Sequence, residues 1–569
     1  MSRHRIIVGV DFGTTFTGVS YVDSSKNHIN DITVIRTWPG PTREQDEVCK
    51  TPSRIAYKCE NPSLSEEAAW GYQVEPKMKS YSWMKLLLDS QRPNSLTNDT
   101  WDTTNGDGLM RIPPFKSEAR DVCADYLREI YKHIIIILEK RHTPEVLKVT
   151  PLDFWFTIPA IWSDKAKEDT LNVAIDAGFK SRSTDDITII TEPEAAAIAT
   201  LTTLSDEESR YDVKSGDIIL ICDCGGGTVD IITYLVNQTS PVFKFEELLV
   251  GTGGKCGSTF IDRNFHKWMA RTFKSAWESL KPERKGSGSR FMREFEGYKR
   301  DFGTPSTLNK TFELDLVIPN APESEYYNLE DGGTVGRSNP PTKTIQAFVK
   351  NKDAKVVLAG GFGDSPYLNQ MLRTWCEARG MSLMCPGDPQ ASVVKGAALA
   401  GLKNSRPQTR KSRLHYGVIV GEQFREGIDP PDTAYHCKWD GLKRCNNRME
   451  WIIQKGASIG KEDKITYPLS TIRSEGESLV TILNVYTCQR DYAPEWYAEE
   501  SCRRVGELHC KFQESDLTVF EKKKHPDGRD MWRMEFRVGF DLFADKGILQ
   551  FHAIGPNKKN LGEISIEYD

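Results

Sequence analysis

Two different periodicities run along the chain. Up to residue 402, short aliphatic runs alternate with longer amphipathic stretches. The runs at 5–10, 153–158, 217–222 and 355–359 predict buried strands, and the 3.6-residue spacing over 117–141, 163–177 and 367–379 predicts helices. That alternation predicts an α/β architecture. Beyond a polar, basic stretch at 403–413 the helical spacing stops. Strand patterns at 416–420, 478–486, 533–540 and 548–554 take over and predict a β-rich module. The expected organisation is a first domain over 1–402, a linker over 403–413 and a β-rich domain over 414–569. The polar run at 281–290, with Pro282, Gly286 and Gly288, reads as a mobile surface excursion inside the first domain.

Length and composition agree with more than one domain. A chain of 569 residues exceeds the roughly 250 to 300 at which single cores stop growing. A net charge of -5 with 27% charged residues gives no field suited to holding nucleic acid, so no nucleic-acid partner is expected. The longest aliphatic stretch, 134–138, is far short of the ~20 residues of a spanning helix, so no membrane partner is expected either. Thirteen cysteines without a secretory leader pattern point to free thiols and a cytoplasmic location.

One pattern occurs twice, 212 positions apart. Ile6-Ile7-Val8-Gly9-Val10-Asp11-Phe12-Gly13-Thr14-Thr15 aligns with Ile218-Ile219-Leu220-Ile221-Cys222-Asp223-Cys224-Gly225-Gly226-Gly227-Thr228, and a second strand follows each, at 17–22 and 229–236. A buried strand ending in Asp-x-Gly presents a carboxylate at its end, and the small turn residues let backbone N–H groups approach a phosphate. Two such clamps can hold a triphosphate between them, with Asp11 and Asp223 reaching Mg2+ through its waters. A Walker A loop is excluded, since Gly254-Lys255 is followed by Cys256 and Leu249 stands where its first glycine would be. The glycines of 251–254 do not read as a strand-to-helix dinucleotide turn. A third glycine turn, Gly360-Gly361-Phe362-Gly363, follows the 355–359 run and can lay backbone against a flat ligand or a phosphate.

These segments together resemble the actin, sugar-kinase and heat-shock ATPase superfamily, and within it the seventy-kilodalton heat-shock chaperones. The resemblance rests on the two phosphate loops, on Thr157-Ile158-Pro159-Ala160, on Thr191-Glu192-Pro193-Glu194-Ala195-Ala196-Ala197, on Glu296-x-x-Lys299-Arg300 and on Gly360-Gly361-Phe362. It implies an actin-like (ribonuclease H-like), two-lobed ATPase domain followed by a β-rich, sandwich-like domain. It also implies ATP, ADP and Mg2+ as ligands. Asp11, Asp223 and Asp230 become positioners of metal or water, and Glu192 the group that orients the attacking water's network. Lys85 is the candidate for the lysine that orients the nucleophile, with a surface lysine on an amphipathic helix as the alternative. Gly13, Thr14, Thr15, Gly225, Gly226, Gly227 and Thr228 become phosphate contacts, with Gly253 and Gly254 beside them. Glu296, Lys299, Arg300, Gly360, Gly361 and Phe362 become the adenosine site.

The implied function is an ATP-binding, chaperone-like protein and weak ATPase, with extended client polypeptides and a co-chaperone or nucleotide exchange factor as partners. The alternative is a nucleotide-gated interaction scaffold or sensor, and a sugar kinase on the same fold comes third. Several positions depart from the family pattern. Phe362-Gly363-Asp364-Ser365 lacks the family's adenine-stacking arginine, Lys255-Cys256 replaces an acid, and Lys167 stands in place of an arginine. The basic linker and the lack of a helical lid predict weak coupling between nucleotide and the β-rich domain. In that domain Trp451-Ile452-Ile453-Gln454-Lys455-Gly456 resembles a family strand and turn. Cys437, Cys445, Cys502 and Cys510 read as packed thiols rather than a zinc site, and Trp439, Trp451, Trp496 and Tyr497 read mainly as core.

Overall fold

A run such as Ile6-Ile7-Val8-Gly9-Val10 needs cover on both faces, and it finds it at the centre of a sheet. The computed structural model describes residues 4–40, 48–89, 112–204, 213–239, 243–286, 288–304, 307, 314, 316–318, 355–461, 463–498, 500–525, 527–541 and 549–565. The chain divides into two compact units, Met1–Glu246 with Gly251–Pro407, and Glu247–Val250 with Gln408–Asp569.

The first unit is a mixed α/β body whose two main sheets repeat one strand order. In one, the order is Thr33–Val34, Phe16–Asp23, Ile6–Phe12, Leu152–Ile158, Asp186–Thr191, with Lys50–Pro52 also paired to Phe16–Asp23. In the other it is Lys244–Gly254, Val229–Gln238, Ile218–Cys224, Lys355–Ala359, Ser382–Met384. Each Asp-bearing strand is antiparallel to its hairpin partner and parallel to its other neighbour. A shared core joins the sheets. Ile7, Trp155 and Ile190 from one and Ile219, Ile221 and Val357 from the other pack with Ala195–Ala197 and Ala397–Ala400, from the helices Glu192–Leu204 and Pro389–Lys403.

Helix ends follow local chemistry. Ser163 caps Asp164–Asp176 by accepting from the Ala166 N–H, and Ser365 caps Pro366–Glu377 with proline at the first position. Asn404 closes Pro389–Lys403 in the left-handed conformation, φ 48°. Parts of the stretch 281–290 have regular structure. Pro282–Lys285 is a helical turn, and buried Ser289 caps Arg290–Asp301 through the Met292 N–H. The glycines of 251–254 end a strand that does run on toward a helix, Thr259–Glu278, but that strand lies at its sheet's edge.

In the second unit two antiparallel sheets contribute to one apolar core. One carries Ala434–His436, Lys443–Ile453, His415–Gln423, Val480–Cys488 and Cys502–Lys511; the other carries Ile465–Ser474, Asp530–Asp541, Gln550–Ile554 and Asn560–Ser565, with Glu521–Lys524 paired to Asp530–Asp541. Tyr416, Val485 and Leu508 meet Met534, Phe536, Val538 and Phe551 in that core. Part of the segment read as linker is a strand, Thr409–Lys411, paired with Ser458–Gly460.

All four of these aromatics, Trp439, Trp451, Trp496 and Tyr497, are half-buried instead of lying in the core. Trp451 donates its indole N–H to the Pro494 carbonyl and Trp496 to Asp429, while Tyr497 packs against Tyr486. Trp439 is half-buried, with Lys523 over its ring at 5.9 Å. Cys437, Cys445, Cys502 and Cys510 are all buried, unbridged thiols. No helix among the described residues is long and apolar enough to cross a membrane.

Candidate functional site

The two Asp-x-Gly turns meet face to face. A Cβ on Gly226 would lie 2.2 Å from Thr15 Oγ1, and one on Gly227 would lie 2.5 Å from Thr14 Oγ1, so only glycine fits where the turns touch. The second turn is held from behind. Backbone N–H groups of Ser258, Thr259 and Gly257 donate to the carbonyls of Gly225, Gly226 and Gly227 at 3.1, 2.8 and 3.2 Å. Because a trans peptide sets N–H opposite its C=O, the N–H groups of Gly226, Gly227 and Thr228 point the other way. Successive N–H groups aimed in one direction form an anion cradle.

Around these turns lies a buried cluster of charge. Asp11 accepts from Lys50 Nζ at 2.6 Å through Oδ2 and from the Thr157 hydroxyl at 2.8 Å through Oδ1. Glu192, at the start of its helix, pairs with Lys85 Nζ at 2.6 Å. Lys85 has only 1% of its side chain exposed, on the 3-10 turn Met84–Leu87, with Trp162 and Phe12 rings 5.1 and 5.7 Å from Nζ. The surface position weighed for it is therefore not what the fold provides. Asp230 faces Asp223 directly across their hairpin and accepts from the Ile161 N–H at 3.0 Å.

Asp11, Glu192 and Asp223 are held very differently. Burial alone would raise Asp11, but the Lys50 charge and hydrogen bond, with Lys85 and Thr157, bring it below the ordinary carboxylate range. Glu192 is pushed up to about 7, by burial first and then, against the opposing charge of Lys85, by Asp11 and Asp230. Asp223 is held well above the ordinary range by burial, then by Glu192, Asp230 and Asp11, against a smaller pull from Lys50. Among the described residues, no lysine or arginine ion-pairs with Asp223. Lys50 itself stays protonated, because Asp11 overcomes the cost of burying the ammonium.

The remaining predicted residues are only partly gathered here. Gly360, with φ 82°, brings its backbone against the acid cluster, and a Cβ there would lie 2.3 Å from Asp223 Oδ1. Gly361 is open, and Phe362 packs into a side cluster with Leu358 and Leu368. Arg300 stands over the Phe16 ring at 5.3 Å, immediately after Thr15. Glu296 bridges Arg300 at 2.9 Å and Lys299 at 2.5 Å. Lys299 is 91% covered and bound to both oxygens of Asp262 at 2.9 and 3.0 Å. Gly253 packs behind Asp230, where a Cβ would meet the Val229 carbonyl at 2.5 Å, and Gly254 lies beside Cys256. Lys255 reaches Asp89 at 3.6 Å, and Lys167 is tied to Asp164 at 2.8 Å. Lys50 and Phe16 carried no sequence signal of their own; the structure places Lys50 on the short strand Lys50–Pro52.

No protein-family profile matches the chain. Heat shock 70 kDa protein 12B of Homo sapiens is 24% identical over 630 aligned residues, which cover 94% of this chain and 88% of that protein. Heat shock 70 kDa protein 12A of Mus musculus is 24% identical, over 91% of this chain and 86% of its own length. Chaperone protein DnaK of Metamycoplasma hominis is 25% identical over 76% of this chain and 65% of its own length. Along about nine-tenths of its length the chain is similar, as a divergent relative, to heat shock 70 kDa proteins 12A and 12B.

A magnesium ion, which the resemblance implies, would find a matching charge among these residues. Asp11, Asp223 and Asp230, all buried, and Glu192, with 12% of its side chain exposed, lie with two ammonium groups, Lys50 and Lys85; with all four acids ionised, two negative charges remain for a divalent cation to balance. Among the described residues no three acid, His or Cys side chains converge as a direct cage. This donor set would suit an ion that keeps its own water shell, as magnesium does.

Proposed function

We propose that the chain is an ATP-binding, chaperone-like protein with slow, magnesium-dependent hydrolysis. Its first unit would be an actin-like, two-lobed ATPase domain and its second a β-sandwich that binds extended client segments. The observation that carries this reading is the meeting of the two glycine turns over the cluster of Asp11, Glu192, Asp223 and Asp230. The similarity to heat shock 70 kDa proteins supports the chaperone character; clients and exchange factor rest on the resemblance, and the cytoplasmic location on the free thiols.

Phosphoryl transfer to water needs chiefly positioning and charge neutralisation. The N–H groups of Gly226, Gly227 and Thr228 would bind phosphate oxygens, with Thr14 and Thr15 closing from the opposite turn. Glu192, once ionised, would accept a proton from the attacking water, and Lys85, fixed 2.6 Å away, would hold the carboxylate in place. Asp223 and Asp230 would hold the water shell of a bound magnesium ion, which when present withdraws charge from the transferring phosphate. Glu296, Arg300 and the Gly360–Gly361 backbone would flank adenosine.

Single-turnover phosphate release from the full-length protein, with and without an unfolded client or a sugar, tests the reading. Release without sugar, reduced about a hundredfold or ~2.7 kcal/mol by Asp223→Asn, is expected. Wild-type turnover in that variant, or release only when sugar is present, would overturn the assignment. The occupation of both Asp11 oxygens by Lys50 and Thr157 favours a second reading, a nucleotide-gated scaffold or sensor that binds ATP and scarcely turns it over.

A further inference from the structure

The fold makes room for Lys50 in the acid cluster. Lys50, Gly18 and Asp11 are lateral partners across three neighbouring strands, Lys50 opposite Gly18 and Gly18 opposite Asp11. A four-carbon stem laid across a strand would collide with a side chain on the residue it crosses, and glycine removes the obstacle. A Cβ on Gly18 would lie 3.1 Å from Lys50 Cγ and 3.4 Å from Cε. The Tyr72 hydroxyl fixes the backbone by donating to the Lys50 carbonyl at 3.2 Å. The stem thus delivers Nζ to Asp11 at 2.6 Å, with 13% of the side chain exposed.

Thr157 takes the other oxygen of Asp11. One of the acids expected to face a metal is therefore already satisfied by a charge that the chain itself carries. An ammonium has three donors, and its bond to Asp11 leaves others for an anion.

We propose that Lys50 is a resident cation of the nucleotide site, supplying beside Asp11 the positive charge that a divalent ion would otherwise bring, and so making nucleotide binding largely independent of divalent metal. The inference rests on the nucleotide reading above and concerns binding rather than turnover, for which Asp223 and Asp230 remain available to magnesium.

Calorimetric titration of ADP into the full-length protein, in excess magnesium and in excess chelator, tests it. Wild-type affinity should fall less than about threefold on chelation, and that of Lys50→Met at least about thirtyfold, while Lys50→Arg should behave as wild type. A wild-type loss of about thirtyfold or more would overturn the proposal without any variant, and leave the nucleotide reading standing. Equal insensitivity in wild type and Lys50→Met would overturn it as well, because Lys50 would not be the cause. If Lys50→Met fails to fold by circular dichroism, Lys50→Gln takes its place. Absence of ADP binding by wild type at any metal concentration would overturn the nucleotide reading, and the inference with it.

Discussion

The Asp11 and Asp223 hairpins share strand order, strand direction and turn chemistry, yet their acids sit in opposite fields. Asp11 has a lysine on one oxygen and a hydroxyl on the other, and is held below the ordinary carboxylate range. Asp223 has three acids for neighbours and is held well above it. The difference arises outside the repeated motif. The first sheet has an extra strand, Lys50–Pro52, beside its hairpin, and that strand brings the ammonium. A repeated scaffold can therefore present one acid as a finished ion pair and its twin as an unbalanced charge, which gives the first a structural weight and the second an appetite for a cation.

The strongest way to break this comparison is to unpair Asp11. Asp11→Asn leaves the Lys50 ammonium buried without its partner, and should lower unfolding stability by about 3 kcal/mol in urea titrations. Combined with Lys50→Met it should cost clearly less than the sum of the two single changes. Additive losses would mean that the pair does not hold the hairpin.

A weaker, opposite effect is expected at the second hairpin. Asp223→Asn removes a repelling buried charge and should raise the stability of the nucleotide-free protein by ~1 kcal/mol, even as it lowers the proposed hydrolysis about a hundredfold. The pH dependence has the matching sign. Glu192 titrates near 7 in the folded protein against its ordinary 4.5, so the folded state keeps its proton longer than the unfolded chain. Stability should therefore decline as pH rises from about 4.5 to about 7, with Asp223 adding in the same direction. Melting temperatures across that window should fall in wild type and flatten in Glu192→Gln. A rise with pH would show that the acids are neutralised by some other group.

The smallest effect sharpens the comparison at its edge. Glu296 binds Lys299 and Arg300 on a helix that reaches Phe16 next to the first turn, and a third of its side chain is exposed. Glu296→Ala should weaken adenine-nucleotide binding about threefold, or ~0.7 kcal/mol, with little change in triphosphate affinity. Unchanged adenine preference by calorimetry would remove this helix from the site.

The sequence by itself determined the elements and the repeat. Alternation placed the strand now seen at Lys355–Ala359 and the helix Ala119–Arg141 to within two residues, and two Asp-x-Gly hairpins were legible because strand, acid and turn lie within ten consecutive residues in one and eleven in the other. Such features follow from short-range sterics and from which face a residue must bury. The pairing of charges was decided only by the tertiary structure. Lys50 meets Asp11 from 39 positions away, Lys85 meets Glu192 from 107, and Thr157 meets Asp11 from 146. Nothing local distinguishes Lys85, buried at a carboxylate, from a solvated lysine, or Lys299, spent on Asp262, from one free to face a nucleotide. Sheet order and register set those distances, and electrostatic energy depends on distance and burial rather than on order along the chain.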